Sequence, residues 1–306
     1  MTITASASAK IILFGEHAVV YARPAVAVPF ASLRVEVTAV PAEQFHIVAH
    51  NLQGRIIGLH EADNPLIAFT TRFCHLASVP VPSYRVEIQS HIPIASGLGS
   101  GAAISTALGR ALMQMTKITL SNDDLNALVY ETEKSYHGTP SGIDNTVIVY
   151  ETPIRFLRQQ PIQLIKAFAP FMLVVADTGI VAPTYESVGD VRKLYDADPV
   201  HYSAIFDRIG IIADEGLRAM QAGNNTALGQ AMTENHTLLQ GLTVSSPELD
   251  NLVETALKAG ALGAKLSGGG RGGNMIALVT PQTAHIVRDA LLQAGAVRVY
   301  LTQVTP

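Results

Sequence analysis

Three stretches of this chain carry residue types that chemistry uses. The first is "SGLGSGAAIS", where Gly97, Gly99 and Gly101 fall within five residues just ahead of a helical pattern. Glycine lets backbone N–H groups come close to a ligand, and a helix N-terminus favours an anion. Read from the residues alone, three uses compete. One is a tight turn in which glycine serves only geometry. The second is a dinucleotide fingerprint, since Gly97, Gly99 and Ala102 match G-x-G-x-x-A with acidic Asp123 and Asp124 about twenty positions on. Those two acids, however, read as the first turn of a helix and not as the tip of a strand. The third is a phosphate cradle at a helix start. The Walker A pattern is broken here, because no Gly-Lys-Ser/Thr follows, so a lysine for the phosphates must come from elsewhere.

The second stretch is "EKSYHGTPSGIDN". It sets Glu133 near the end of a helix and Asp144 beyond a Gly/Pro/Ser turn. Folded back, the two carboxylates can converge, one holding a metal and the other facing a substrate hydroxyl. Taken singly, each has a plainer use: Glu133 as a solvated helix residue, Asp144 as a turn residue bonding its own backbone. The third stretch, "AKLSGGGRGGNMIAL", is a second glycine run before a buried strand, and by itself it reads as a flexible loop.

The elements that must position these residues are legible in part. "KIILFG" reads as a buried strand, "AVAVPFASLRVEVTAV" as a β-branched strand, and "FHIVAHNLQGRIIGL" as a hairpin turning near Asn51–Gly54. Asn64 and Pro65 open a helix through Ala77, with Leu66, Phe69, Phe73 and Leu76 on one stripe. "SYRVEIQSHI" alternates as a half-buried strand. After the glycine loop, Ile104, Ala107, Leu108, Ala111, Leu112 and Met115 recur at helical spacing. Ser121 and Asp124 form a capping box for a helix that stops at Gly138. "TPSGIDNTVIVYE" then reads as a turn feeding a strand, and "APFMLVVADTGI" as another strand. Residues from Thr184 to Ala259 are helical in pattern, with Ser246–Pro247 a cap and Gly260 a stop. The chain closes on strand (Met275–Thr280), helix (Gln282–Ala294) and strand (Val297–Val304). A strand-rich half followed by a helix-rich half predicts an α+β fold. The boundary falls near residues 155–168, giving domains 1–165 and 166–306.

Bulk composition excludes several classes. The 306 residues are 48% hydrophobic and 15% charged, so a large core forms and disorder is excluded. A net charge of −4 lacks the basic footprint of a nucleic-acid binder. Cys74 is the single cysteine, so no internal disulfide forms and a reducing compartment fits. "MTITASASAKIILFGEH" is not a secretory signal, since Glu16 and His17 interrupt its apolar run. The apolar run Ala167–Ala176 contains Pro170 and is too short to span a bilayer. The expectation is a cytoplasmic globular protein with no membrane and no nucleic-acid partner.

Taken together, the stretches resemble the GHMP kinase superfamily. Its three motifs occur in order across nearly the whole chain, as "SASAKIILFGEHAVVYARPAVAV", "PIASGLGSGAAIS" and "GAKLSGGGRGGNMIAL". Within the superfamily, "KIILFGEHAVVY", "HGTPSGIDN" and "DTGIVAPTYESVGDVR" resemble the mevalonate kinases. The resemblance implies a two-domain α+β fold, with a ribosomal-S5-like N-terminal domain, a ferredoxin-like C-terminal domain and an active site in the cleft between them. It implies ATP as co-substrate, Mg²⁺, and phosphorylation of the 5-hydroxyl of mevalonate. Asp144 resembles the catalytic aspartate and Lys10 the lysine beside it. Glu133 resembles the Mg²⁺-binding glutamate. Gly97, Leu98, Gly99, Ser100, Gly101 and Ala102 resemble the loop around the ATP phosphates. Glu16, His17, Ser141, Gly142, Thr184 and Gly269 fall at positions that line the substrate site. Homodimers are common among such kinases. Sibling kinases acting on another hydroxyl, on phosphomevalonate or on a sugar share these motifs, and a nucleotide-binding sensor is the alternative outside catalysis.

The chain departs from the family pattern at three places. Gly101 replaces the serine expected to offer a hydroxyl to Mg²⁺, which leaves Ser100 or water for that place. Ser8–Ala9 replaces the usual Pro-Gly before Lys10. Arg271 interrupts the third motif, either as a solvated loop charge or as a phosphate or substrate contact.

Overall fold

Local capping chemistry opens the helices where the sequence predicts. The computed structural model describes residues 2–50, 54–93, 97–137 and 140–306. In chain order it contains β1 (Ile3–Phe14), a short 3-10 turn (Ala18–Tyr21), β2 (Ala25–Pro41), β3 (His46–Ala49), β4 (Arg55–Gly58), α1 (Pro65–Leu76) and β5 (Tyr84–Ser90). Helices α2 (Ser100–Thr116), α3 (Asn122–His137) and α4 (Ile143–Tyr150) follow, then β6 (Ile154–Phe156), β7 (Gln163–Leu164) and β8 (Phe171–Asp177). Next come α5 (Thr184–Ala197), α6 (Pro199–Gln221), α7 (Asn225–Gly241) and α8 (Pro247–Lys258). The last elements are β9 (Gly263–Ser267), β10 (Asn274–Val279), α9 (Ala284–Gln293) and β11 (Arg298–Val304). Asn64 accepts the Leu66 N–H at 3.0 Å ahead of Pro65. The Ser121 hydroxyl donates to Asp124 at 2.7 Å and accepts its N–H at 3.1 Å. Ser246 accepts the Leu249 N–H at 3.3 Å. Each satisfies a donor that a helix start leaves open.

The chain divides into two compact units whose segments interleave. Unit 1 comprises Met1–Ala9, Leu33–Ile94 and Gly99–Glu151; unit 2 comprises Lys10–Ser32, Ala95–Leu98 and Thr152–Pro306. In unit 1, β5 pairs antiparallel with the second half of β2 and parallel with β3, which pairs antiparallel with β4. Helices α1, α2, α3 and α4 pack on one another. Unit 2 holds an antiparallel sheet in the order β11-β8-β10-β9. Its β8–helices–β9–β10–α9–β11 succession is the β-α-β-β-α-β order expected of a ferredoxin-like domain. Its core joins Val174, Phe206, Leu239, Leu252, Leu266 and Ala277, among others, and includes Ala18 from the N-terminal segment. The α+β expectation holds.

Three local readings change. The run Ile143–Tyr150 is helix α4, not a strand. It is buried on nearly every side, and Thr146 bonds the Gly142 carbonyl at 2.6 Å. A short apolar run buried all round has no period that separates strand from helix. Strand β1 begins at Ile3, well before "KIILFG". Leu76, placed on the core stripe of α1, is 52% exposed, while Leu66, Phe69 and Phe73 are buried. The turn at Asn51–Gly54 lies largely, and the stop at Gly138 wholly, outside the described residues. Among the described residues no helix is long and apolar enough to cross a membrane.

Candidate active site

Unit 1 carries the helix starts. Gly99 precedes α2 in the left-handed region, φ 78°, with no side-chain cap on the helix. The first N–H groups of α2, on Ser100, Gly101 and Ala102, therefore open an N-terminus suited to an anion. α4 starts in the same way, from Gly142 at φ 94°. Asp144 sits half-buried in its first turn, where the helix dipole favours a negative charge. Ser141, exposed, takes the Ile143 N–H at 3.3 Å. α4 is pinned to α3 by Asn145 donating to Asn126 at 2.7 Å and Asn126 to Thr146 at 3.4 Å. Glu133, 3% exposed, lies on α3. The two carboxylates read from the sequence thus stand on helices that pack together.

Unit 2 gathers the remaining candidates. Lys10 is buried on β1, and its N–H donates to the Leu98 carbonyl at 3.1 Å, tying the glycine loop to that strand. A methyl group added at Gly268 would lie 3.9 Å from the Gly97 carbonyl oxygen, so the two glycine runs touch. β1 ends in a turn at Gly15, φ 96°, where a Cβ would overlap Ala25 and Pro24. That turn delivers Glu16 and His17, 2% and 6% exposed. His17 Nε2 lies 3.1 Å from the Gly269 carbonyl oxygen. Gly269 in turn faces Thr184 at the start of α5, because a Cβ there would come 2.8 Å from the Thr184 hydroxyl. Gly269 thus lies between His17 and Thr184, with Glu16 next to His17 in the chain.

The chemistry of this cluster follows from protonation. Burial drives the His17 pKa down to about 4, against the opposing pull of the Gly269 carbonyl; Arg271 and Lys265 lower it further. The ring is neutral at pH 7. Since Nε2 faces a carbonyl, it carries the proton, and Nδ1 is left as a bare acceptor. That Nδ1 is buried without a partner among the described residues, and so is Glu16 Oε2. Two adjacent buried acceptors call for a ligand that donates, such as a hydroxyl.

One residue that the sequence reading passed over belongs here. Lys265 is fully buried on β9 and pairs with Glu16 Oε1. Burial pulls its pKa down, and Glu16 pulls it up. Removing one partner of such a pair costs about 3–5 kcal/mol, because the other charge is left buried and alone. Its signal was a lysine inside the apolar strand "GAKLS", since lysine is almost never fully buried unless paired. Arg271, in the second glycine run, is bonded within unit 2. Its guanidinium pairs with Asp190 on α5 at 2.5 Å and bonds the Thr243 carbonyl at 3.3 Å. Lys193 and Arg271 hold the Asp190 carboxyl down at about 2. The arginine thus ties the second glycine run to α5.

The donor set suits a metal that arrives with phosphates. Among the described residues no group of three or more His, Cys, Asp or Glu is placed to hold an ion. Mg²⁺ takes only one or two protein oxygens beside nucleotide phosphates; Glu133 is a buried carboxylate on α3, which packs on α2, and Ser100 opens α2.

Comparison with known proteins adds the last observations. Residues 65–152 match the model of the GHMP kinases N terminal domain, and residues 217–297 that of the GHMP kinases C terminal domain. The chain is 34% identical to a mevalonate kinase of Pyrococcus furiosus over 324 residues, covering 96% of this chain and 94% of the relative. The L. major mevalonate kinase solved in complex with R-mevalonate superposes with a TM-score of 0.84 at 29% identity, covering 99% of this chain and 96% of that one. The Methanococcus jannaschii mevalonate kinase gives 0.86 at 26% identity, covering 100% and 98%.

Proposed function

This chain belongs to the GHMP kinase family, and we propose that within it the chain is an ATP-dependent mevalonate kinase acting in the cytoplasm. It transfers the γ-phosphoryl group to the 5-hydroxyl of (R)-mevalonate and yields 5-phosphomevalonate and ADP. The end-to-end likeness to mevalonate kinases carries this reading, and the sequence retains Lys10, Glu133 and Asp144.

Phosphoryl transfer runs through a loose transition state, so the protein's work is alignment and charge stabilisation. The loop Gly97–Ala102 and the α2 N-terminus receive the ATP phosphates through backbone N–H groups. Lys10 supplies a fixed positive charge for the transferring oxygens. Asp144 orients the attacking hydroxyl and takes up its proton as the bond to phosphorus forms. Glu16, His17, Ser141, Gly142, Thr184 and Gly269 hold mevalonate, with Glu16 and His17 accepting hydrogen bonds from it. Mg²⁺, when bound with ATP, neutralises phosphate charge, and Glu133 and Ser100 are the residues that would hold it.

A panel of acceptors tests the assignment. ATP turnover with Mg²⁺ is measured against mevalonate, phosphomevalonate, galactose and homoserine. Turnover with mevalonate is expected at about 1–100 s⁻¹, well above the others. A rate with mevalonate no faster than with galactose or homoserine rejects it.

A further inference from the structure

Lys265 has no step in the proposed reaction, yet it stands at the end of a continuous series of hydrogen bonds. Its Nζ donates to Glu16 Oε1 and, at 2.7 Å, to the Leu266 carbonyl. The N–H of the same Leu266 donates to His236 Nδ1 on α7 at 3.3 Å. The other ring nitrogen of His236, Nε2, lies 3.1 Å from Asp250 Oδ1 on α8. That carboxylate oxygen also accepts from the Ser245 hydroxyl at 2.5 Å. Because Nδ1 receives an N–H, the proton of His236 sits on Nε2 and points at Asp250. Burial lowers the His236 pKa against the opposing pull of Asp250, which keeps Nδ1 an acceptor. The series runs within unit 2, from a 40% exposed carboxylate to two side chains that are 0% and 1% exposed.

Stability alone does not explain such an arrangement. A buried ion pair is commonly no better for stability than apolar side chains of the same volume. Here the pairing is also lopsided: Lys265 occupies Oε1 of Glu16, and Oε2 is buried with no partner. An uncompensated acceptor at that depth is unfavourable until a donor reaches it. Its neighbour His17 presents a second bare acceptor.

We propose that Lys265, held by the Asp250–His236 pair through Leu266, is a positioning residue that keeps Glu16 turned so that its second oxygen receives a hydroxyl of the acceptor substrate. The proposal rests on reading the unit 2 cluster as the acceptor site. Lys265 touches no substrate, so its effect appears in acceptor binding and not in ATP binding.

The test is steady-state kinetics with acceptor and ATP varied separately, on wild type, Lys265→Met and Asp250→Ala, each checked by thermal melting. Lys265→Met is expected to raise KM for mevalonate by about tenfold or more while KM for ATP stays within about twofold. Asp250→Ala, altered at a part-exposed position, is expected to melt normally and to raise KM for mevalonate by about threefold or more. A folded Lys265→Met with unchanged KM for mevalonate overturns the proposal, and so does an equal rise in both KM values, the mark of a merely structural role. Should Lys265→Met not fold, Lys265→Gln and Asp250→Ala decide, and unchanged mevalonate KM in both overturns it. Wild-type activity separates the two readings. If wild type rejects mevalonate, the assignment of function fails, and the same comparison with the acceptor it does use decides the role of Lys265.

Discussion

Glu16 and His17 are consecutive in sequence and both buried, and each leaves an acceptor atom unbonded among the described residues. The carboxylate is held by Lys265, and the imidazole is held neutral. The consequence for stability has a definite sign. His17 has a folded pKa of about 4 against the ordinary histidine value of 6.5, so between those pH values the unfolded chain binds more protons than the folded one. Stability is complete above pH 6.5 and falls as pH drops toward 4, by on the order of 3 kcal/mol from this residue. His17→Asn is expected to flatten that part of the profile. Melting temperatures of both proteins between pH 7 and pH 4 check it, and parallel profiles reject it. At the reacting centre, Asp144→Asn is expected to lower kcat by about a hundredfold or more while ATP affinity stays nearly constant. Nucleotide titration alongside turnover measures both, and a variant that keeps most of its kcat removes Asp144 from the chemistry.

Between elements, α7 and β9 come into close backbone contact. A Cβ on Gly229 would overlap the Leu262 carbonyl, and one on Gly263 would overlap the backbone of Gly229. Here glycine is needed for space, since the neighbour is backbone that cannot turn aside. Gly229→Ala is expected to destabilise the protein by about 3 kcal/mol, read as a shift of the denaturant midpoint; an unshifted midpoint shows that the helix moves freely. What the sequence disclosed follows the same division between local and distant causes. Asn64–Pro65, Ser121–Asp124 and Ser246–Pro247 were legible because a cap is a bond between near neighbours. α4 was misread because Val147, Ile148 and Val149 favour strands in isolation, and packing on α2 and α3 overrides that preference. Lys265 escaped notice because its partner lies 249 positions away. Resemblance singles out the motif residues, whereas the bare acceptors on Glu16 and His17 depend on which atoms the fold leaves unbonded.

At the scale of the molecule, the interleaving of the units governs what can fold alone. Residues 166–306 contain most of unit 2 but lack Lys10–Ser32. That segment supplies Ala18 to the core and sets the Phe14 ring against α6, close enough that a Cβ on Gly216 would overlap it. It also supplies Glu16, without which Lys265 is a lone buried charge. The fragment 166–306 is therefore expected to lack a cooperative melting transition by circular dichroism. A sharp transition in that fragment shows that the N-terminal segment is dispensable. The same arrangement imposes an order on synthesis. A ribosome releases residues 10–32 well before β11, although Ser32 bonds the Leu301 carbonyl at 3.0 Å in the finished protein. At about 5–20 residues per second, the segment 10–32 waits on the order of ten seconds or more for β11. Through that interval it is a segment for a chaperone to shield, until β11 joins the sheet of the unit to which both belong.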